Sequence, residues 1–186
     1  MRALTAPRLL IIDRDGVINA ESSGFIKRAS EWIPLPGSLR AMGLATQAGF
    51  RVFVVSNQSG LARSMFSIDD LHHIHHKLRH EVALHGGVID AFFFCPHDPT
   101  ENCKCRKPQP GLVSEVLSRS GLPANNAIMI GDRESDFLAA RAAGIQAMLV
   151  LTGHGAATVA AWGNECPCPV AANLAAAISM LCAGNC

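Results

Sequence analysis

Five short apolar runs recur along the chain: Leu9–Ile12, Arg51–Val55, Ala91–Cys95, Ala127–Ile130 and Ala147–Leu151. Each holds four or five residues and is nearly all apolar, the pattern of strands whose two faces are both covered by helices. The stretches between them have helix length and helix punctuation. Pro36 precedes one that stops near Gly49, Pro110 begins one that stops near Gly121, and another runs from about Ser135 to Gly144. A glycine in each C-terminal position can take the left-handed conformation that ends a helix. Ser67, with Asp70 three residues later, predicts a capped helix over Ser67–His85. Beyond Gly155 the pattern weakens into an Ala-rich stretch, a Cys-Pro-Cys-Pro sequence at 166–169 and a helix-like Asn173–Leu181. Strand and helix in alternation predict an α/β fold with a doubly wound parallel sheet.

Composition narrows what such a fold can do. At 186 residues the chain is expected to form one domain over 1–186, with no internal repeat or linker. A formal charge of +1 and 17% charged residues disfavour a broad polyanion-binding surface, so neither nucleic acid nor a membrane surface is the expected partner. Met1–Leu10 lacks the pattern of a signal peptide, and no apolar run approaches the roughly 18 residues of a membrane span. The expected location is cytoplasmic, where clustered cysteines read as metal ligands or catalytic thiols rather than disulfides.

The first predicted strand runs straight into Asp13-Arg14-Asp15-Gly16-Val17-Ile18-Asn19. Ligands of open α/β sheets bind beyond the carboxyl ends of the strands. Two carboxylates at that position can share one substrate, one attacking while the other transfers a proton. The second strand ends in Ser56-Asn57-Gln58-Ser59-Gly60, and the fourth in Gly131-Asp132-Arg133-Glu134-Ser135-Asp136. Arg106-Lys107-Pro108, which comes before that fourth strand with a helix between, supplies positive charge. Acids crowded into one crevice need a cation, and hard oxygen ligands suit Mg²⁺.

Between the third strand and Lys107 lies Cys95-Pro96-His97, then five residues, then Cys103-Lys104-Cys105. Three thiolates and an imidazole complete a tetrahedral zinc set with no position left for water, so this loop, 95–105, is expected to hold a structural Zn²⁺. Such a polar loop has little apolar surface to fold around, and the metal would supply its folding energy. Arg106 and Lys107 follow the last ligand directly.

Asp13-x-Asp15-Gly-Val, Ser56, Lys107 and Gly131-Asp132-x3-Asp136 resemble, in order and spacing, the four motifs of the haloacid-dehalogenase-like phosphohydrolase superfamily. The resemblance covers roughly residues 9–155. It implies that Asp13 is the nucleophile of an aspartyl-phosphate and Asp15 the acid and base. It further implies that Ser56 and Lys107 bind the phosphoryl oxygens, and that Asp13, the Asp15 carbonyl and Asp132 hold Mg²⁺. Asp136 would orient Lys107 or a water on that metal. No insertion of cap-domain size separates the motifs, so specificity falls to short loops.

The zinc loop followed by Arg-Lys-Pro narrows the resemblance to two capless groups, the heptose-bisphosphate phosphatases and the histidinol-phosphate phosphatases. Asn57-Gln58-Ser59-Gly60-Leu61-Ala62-Arg63, Gly24-Phe25-Ile26-Lys27 before Glu31-Trp32, and Leu151-Thr152-Gly153 look more like the first. That group implies a small sugar bisphosphate substrate and a place in the supply of activated heptose for surface glycans. It also implies substrate contacts at Glu21, Ser22, Ser23, Gly24, Asn57, Gln58, Ser59, Arg63, Arg106 and Arg133. The other readings are a histidinol-phosphate phosphatase and a non-catalytic, zinc-stabilised binding protein; the complete motif set argues against the latter. An absent cap and near-neutral charge are compatible with a monomer. His72, His73, His75, His76 and His80 read as a solvated helix face, Phe92-Phe93-Phe94 as core strand, and Cys166, Cys168, Cys182 and Cys186 as free thiols.

Overall fold

A computed structural model of the protein describes residues 8–183; Cys186 and the N-terminal Met1–Pro7 lie outside them. The elements alternate as the sequence predicts. Strands β1 (Arg8–Ile12), β2 (Phe50–Asn57), β3 (Ala91–Cys95), β4 (Ala127–Gly131), β5 (Gln146–Val150) and β6 (Val170–Ala171) form a sheet in the order β3-β2-β1-β4-β5-β6, and every pairing is parallel. Helices α1 (Ser38–Gln47), α2 (Ile68–Leu84), α3 (Gly111–Ser120), α4 (Glu134–Ala142), α5 (Gly155–Trp162) and α6 (Leu174–Ala183) connect or follow them.

Two apolar cores explain why the strands lack alternation. Leu10 and Ile12 pack with Val52, Val54, Ile128 and Ile130 on the face covered by α1, α2 and α6. Leu9 and Ile11 pack with Phe53, Val55 and Met129 on the face covered by α3 and α4. All four β1 side chains from Leu9 to Ile12 are fully buried, each contributing about 1.5–3 kcal/mol. β3 is an edge strand, so its three phenylalanines are half-buried rather than central. Arg79 and Arg119 lie over the rings of Phe92 and Phe93.

Helix ends follow the sequence closely. Ser67 and Asp70 form the reciprocal capping box at the start of α2, and Gly49, Gly121 and Gly144 all have positive φ. Two features go beyond the sequence pattern. β2 continues through Ser56 and Asn57, because β3 supplies pairing partners Phe94 and Cys95 there. β6, only two residues, pairs with β5 just after the Cys-Pro-Cys-Pro stretch. Among the described residues no helix is long and apolar enough to cross a membrane.

The chain runs from β1 outward through β2 and β3, then crosses back to β4 and proceeds through β5 and β6 on the other side. The order therefore reverses at β1, and the crevice beyond its C-terminal end is where such sheets bind ligands.

Candidate active site

A cavity of about 330 Å³ opens at that reversal. Asp13, Asp15, Glu21, Ser22, Asn57, Gln58, Arg106, Lys107, Arg133 and Asp136 line it, together with Arg14, Phe25, Ile26 and Ser135. Asp13 follows the last residue of β1, and its N–H donates to Ile130 O on β4 at 2.9 Å. Gly16 then turns the chain at φ +82°; a Cβ there would stand 2.3 Å from Asp132 Oδ2. Glycine is required because the turn and the acid behind it occupy the same space.

Lys107 is the hub of the buried charges. Its Nζ lies 2.7 Å from Asp13 Oδ1 and 2.6 Å from Asp136 Oδ1, and it donates to Val55 O at 3.2 Å. Burial alone would lower its pKa, but the two carboxylates hold it above its ordinary value. Asp136 Oδ2 accepts the backbone N–H groups of Asp132 and Arg133, so one residue both caps α4 and orients the lysine. Asn57 grips the Lys107 backbone twice: Oδ1 accepts its N–H at 3.1 Å and Nδ2 donates to its carbonyl at 3.0 Å.

Asp13, Asp132 and Asp136 each bring a carboxylate oxygen within 4.8 Å of the others. Burial first, then the neighbouring Asp136 and Asp132, outweighs Lys107 and raises the Asp13 pKa well above its usual range. Burial likewise raises Asp132, to about 6. Asp132 Oδ2 accepts His154 N–H at 2.7 Å, whereas Asp132 Oδ1 and Ser56 Oγ are buried without a hydrogen-bond partner. An unpartnered carboxylate oxygen between two other acids fits a hard divalent cation.

Asp15 is held differently. Its Oδ1 accepts from Arg14 Nε and Nη2 and from Asn19 Nδ2, at 2.9–3.1 Å. Its Oδ2 accepts from Arg14 Nη2 at 2.9 Å and Gln58 Nε2 at 3.1 Å. Burial would raise its pKa, but the Arg14 guanidinium and these donors together hold it below the ordinary carboxylate value.

The Cys/His loop leaves β3 beside this crevice. Cys95, His97, Cys103 and Cys105 converge with donor atoms within 4.8 Å of one another; the three Sγ pairs are 3.3–3.5 Å apart. Burial pushes the Cys95 thiol up to about 12, and three sulfurs with one imidazole, converging within 4.8 Å, are a donor set that fits a soft-ligand cation such as zinc. The loop is stitched to the segment after β2 by Gln58 N–H to Cys95 O, Ala62 N–H to Pro96 O, and the Arg63–Asp98 ion pair at 2.6 Å.

Not every residue singled out from the sequence meets the cavity. Ser23 and Gly24 are exposed, Ser59 is buried, and none of the three lines it. Arg63 points instead to Asp98. Glu21 sits at the mouth, paired with Arg133 and with His154 Nε2 at 2.7 Å. Arg14, Asn19 and His154 join the site only in the folded chain, although the first two lie within the Asp13–Asn19 segment that follows β1. Of the α2 histidines, His72, His73, His76 and His80 are exposed. His75 instead stacks on Phe92 at 4.2 Å, and burial lowers its pKa to about 3.

Comparison with known proteins accords with this geometry. A family model described as HAD-hydrolase-like matches residues 104–177. A Bordetella bronchiseptica protein named D-glycero-beta-D-manno-heptose-1,7-bisphosphate 7-phosphatase is 43% identical over 174 residues, 94% of this chain and 97% of its own length. Its Neisseria meningitidis namesake is 42% identical over 160 residues, 86% of each chain. The crystal structure of D,D-heptose 1,7-bisphosphate phosphatase from B. bronchiseptica, complexed with magnesium and phosphate, superposes with a TM-score of 0.91 at 42% identity, covering 95% of this chain and 99% of that one. The corresponding Burkholderia thailandensis enzyme gives 0.72 at 34% identity, covering 94% and 97%. With its crevice at the β1 switch point and these relatives along nearly its whole length, the chain belongs to the heptose-1,7-bisphosphate phosphatase family of the haloacid-dehalogenase-like hydrolases.

Proposed function

We propose that this protein removes the 7-phosphate of D-glycero-D-manno-heptose 1,7-bisphosphate through an aspartyl-phosphate on Asp13. The observation that carries this reading is the buried Asp13–Lys107–Asp136 arrangement beside Asp132, in a chain whose near-full-length relatives bear that enzyme's name. The protein acts as a single-domain, monomeric, cytoplasmic phosphatase supplying heptose precursors for surface glycans.

In the first step an Asp13 carboxylate oxygen attacks phosphorus, and the bond from phosphorus to the sugar oxygen breaks. Asp15 gives that departing oxygen a proton. In the second step Asp15 takes a proton from the water that attacks the same phosphorus, releasing inorganic phosphate and restoring Asp13. Negative charge spreads over the equatorial oxygens in both steps, where positioned donors contribute most. Ser56 Oγ, unpartnered and buried, and Lys107 Nζ are those donors. Arg106 and Arg133, on the cavity lining, meet the rest of the sugar phosphate, alongside Glu21, Ser22, Asn57 and Gln58.

The Asp13 and Asp132 carboxylates and the Asp15 carbonyl would hold Mg²⁺, with Asp136 beside them; when bound it neutralises charge on the phosphoryl oxygens. Cys95, His97, Cys103 and Cys105 would hold a structural Zn²⁺, tying Arg106 and Lys107 to the rim.

Phosphate release from heptose 1,7-bisphosphate and from histidinol phosphate, at matched concentration with Mg²⁺, tests the reading. Faster release from the heptose bisphosphate is expected, and a preference for histidinol phosphate would overturn it. Metal analysis should find about one tightly bound zinc per chain.

A further inference from the structure

The carboxylate of Asp15 is reached by a hydrogen-bond chain that begins in the core. Trp32, 1% exposed, donates its indole Nε1–H to Asn19 Oδ1 at 2.9 Å. Asn19, fully buried, donates Nδ2–H to Asp15 Oδ1 at 2.9 Å and to Ala20 O at 2.9 Å. The direction of this chain is chemically forced. An indole nitrogen only donates, so the amide oxygen of Asn19 must face Trp32 and both its N–H groups must face the other way. The Trp32 ring is itself held in place: Lys77 Nζ lies over it and donates to the Trp32 carbonyl at 3.0 Å. Neither Trp32 nor Asn19 lines the cavity, and neither side chain carries a transferable proton at neutral pH.

We infer that Asn19, its amide oriented by Trp32, is a positioning residue for Asp15: it anchors Oδ1, so that Oδ2, which also accepts from Arg14 Nη2 and Gln58 Nε2, is the oxygen that exchanges the proton with the leaving group and with water. The inference rests on the proposed role of Asp15 as acid and base. An amide with one acceptor and two donors suits this task, because it fixes a carboxylate without competing for its proton. The ordinary alternative is a buried polar pair that merely satisfies itself, in which case removing it would slow the reaction equally whichever leaving group departs.

Leaving-group dependence separates the two. A sugar alkoxide departs with difficulty and needs the proton, whereas p-nitrophenolate departs readily without it. General acid catalysis contributes about 10²–10⁴-fold, so displacing the acid should remove much of that from the first step with alkyl phosphates alone, the step that kcat/KM reports; the second step is common to both substrates. The test compares kcat/KM for heptose 1,7-bisphosphate and for p-nitrophenyl phosphate in Asn19→Ser, Trp32→Phe and Asp15→Asn proteins, with thermal melting and zinc content as folding controls. Trp32→Phe keeps the aromatic ring and removes only the indole donor, so it carries the test if Asn19→Ser does not fold.

The expected result is a kcat/KM loss at least ~10-fold greater on the sugar phosphate than on the aryl phosphate, in both Asn19→Ser and Trp32→Phe. Equal losses on the two substrates, or no loss, would overturn the inference while Asp15→Asn still shows the leaving-group effect. If Asp15→Asn shows no such effect, the assignment of Asp15 as the acid fails, and the inference fails with it.

Discussion

Two clusters of ligand groups lie side by side in this molecule, and they are held together in different ways. Asp13 and Asp132 stand just past the ends of two central strands and Asp136 in the first turn of α4, and the three carry an internal counter-ion, Lys107, between Asp13 and Asp136. The Cys95, His97, Cys103 and Cys105 group stands on a polar loop, each of its three sulfurs and its imidazole lying 3.2–3.5 Å from another of the four. The acid crevice is therefore shaped by the sheet and its lysine, while the loop, with little apolar surface of its own, would draw folding energy from a bound ion. Lys107 links the two, following the last cysteine by two residues and ending in the crevice.

The sharpest way to break this comparison is at the nucleophile. Asp13→Asn should lower phosphate release by ~10⁴-fold or more without unfolding the sheet; turnover near the wild-type rate would remove the crevice from the chemistry. Lys107→Met leaves Asp13 and Asp136 without their cation. A kcat loss of ~10²–10³-fold is expected from the missing donor, together with a destabilisation of roughly 3 kcal/mol, because one partner of a buried ion pair has gone. Chemical denaturation with and without Mg²⁺ would reveal whether an external ion can replace the lysine.

The loop should respond to metal instead. Chelation, or paired replacement of Cys103 and Cys105 by serine, should remove zinc and lower kcat/KM by ~10–100-fold, the usual scale for disturbing groups that orient a site. Hydrogen exchange should quicken across residues 95–107 while the β1 and β4 amides stay protected. Zinc retained after both replacements contradicts the ligand assignment.

Acidity offers a finer measure. Burial raises Asp132 to about 6 from an ordinary 3.8, so the metal-free folded state keeps a proton that the unfolded chain has already lost. Its stability contribution is full below about pH 4 and disappears as the pH rises through about 6. Mg²⁺ must displace the same proton, so its apparent affinity should weaken below about pH 6, by up to ~tenfold per pH unit for one proton; isothermal titration at several pH values measures it. Arg63→Ala marks the small end of the scale. The Arg63–Asp98 pair is exposed, and such pairs contribute little, so melting temperature and KM should hardly move; a large rise in KM would restore Arg63 as a substrate contact.

Much of this was legible from residue order. The five apolar runs became β1 to β5, because strands buried on both faces carry no alternation to obscure them. The capping box and the three helix-ending glycines fell where the sequence predicts. β6 escaped because two residues are too few to carry a pattern.

Residue types and spacing alone determined which groups can do chemistry: paired acids after a strand, a hydroxyl and amides after the next, and a soft tetrahedral ligand set. Only the tertiary structure decided how they share the work. It turned Asn57 toward the Lys107 backbone, aimed Arg63 away from the cavity, and drew Arg14, Asn19 and Gln58 around Asp15. The physical reason is that a side chain's partner is fixed by distance and by which donors remain unsatisfied once the backbone has folded, and neither quantity is written in sequence separation.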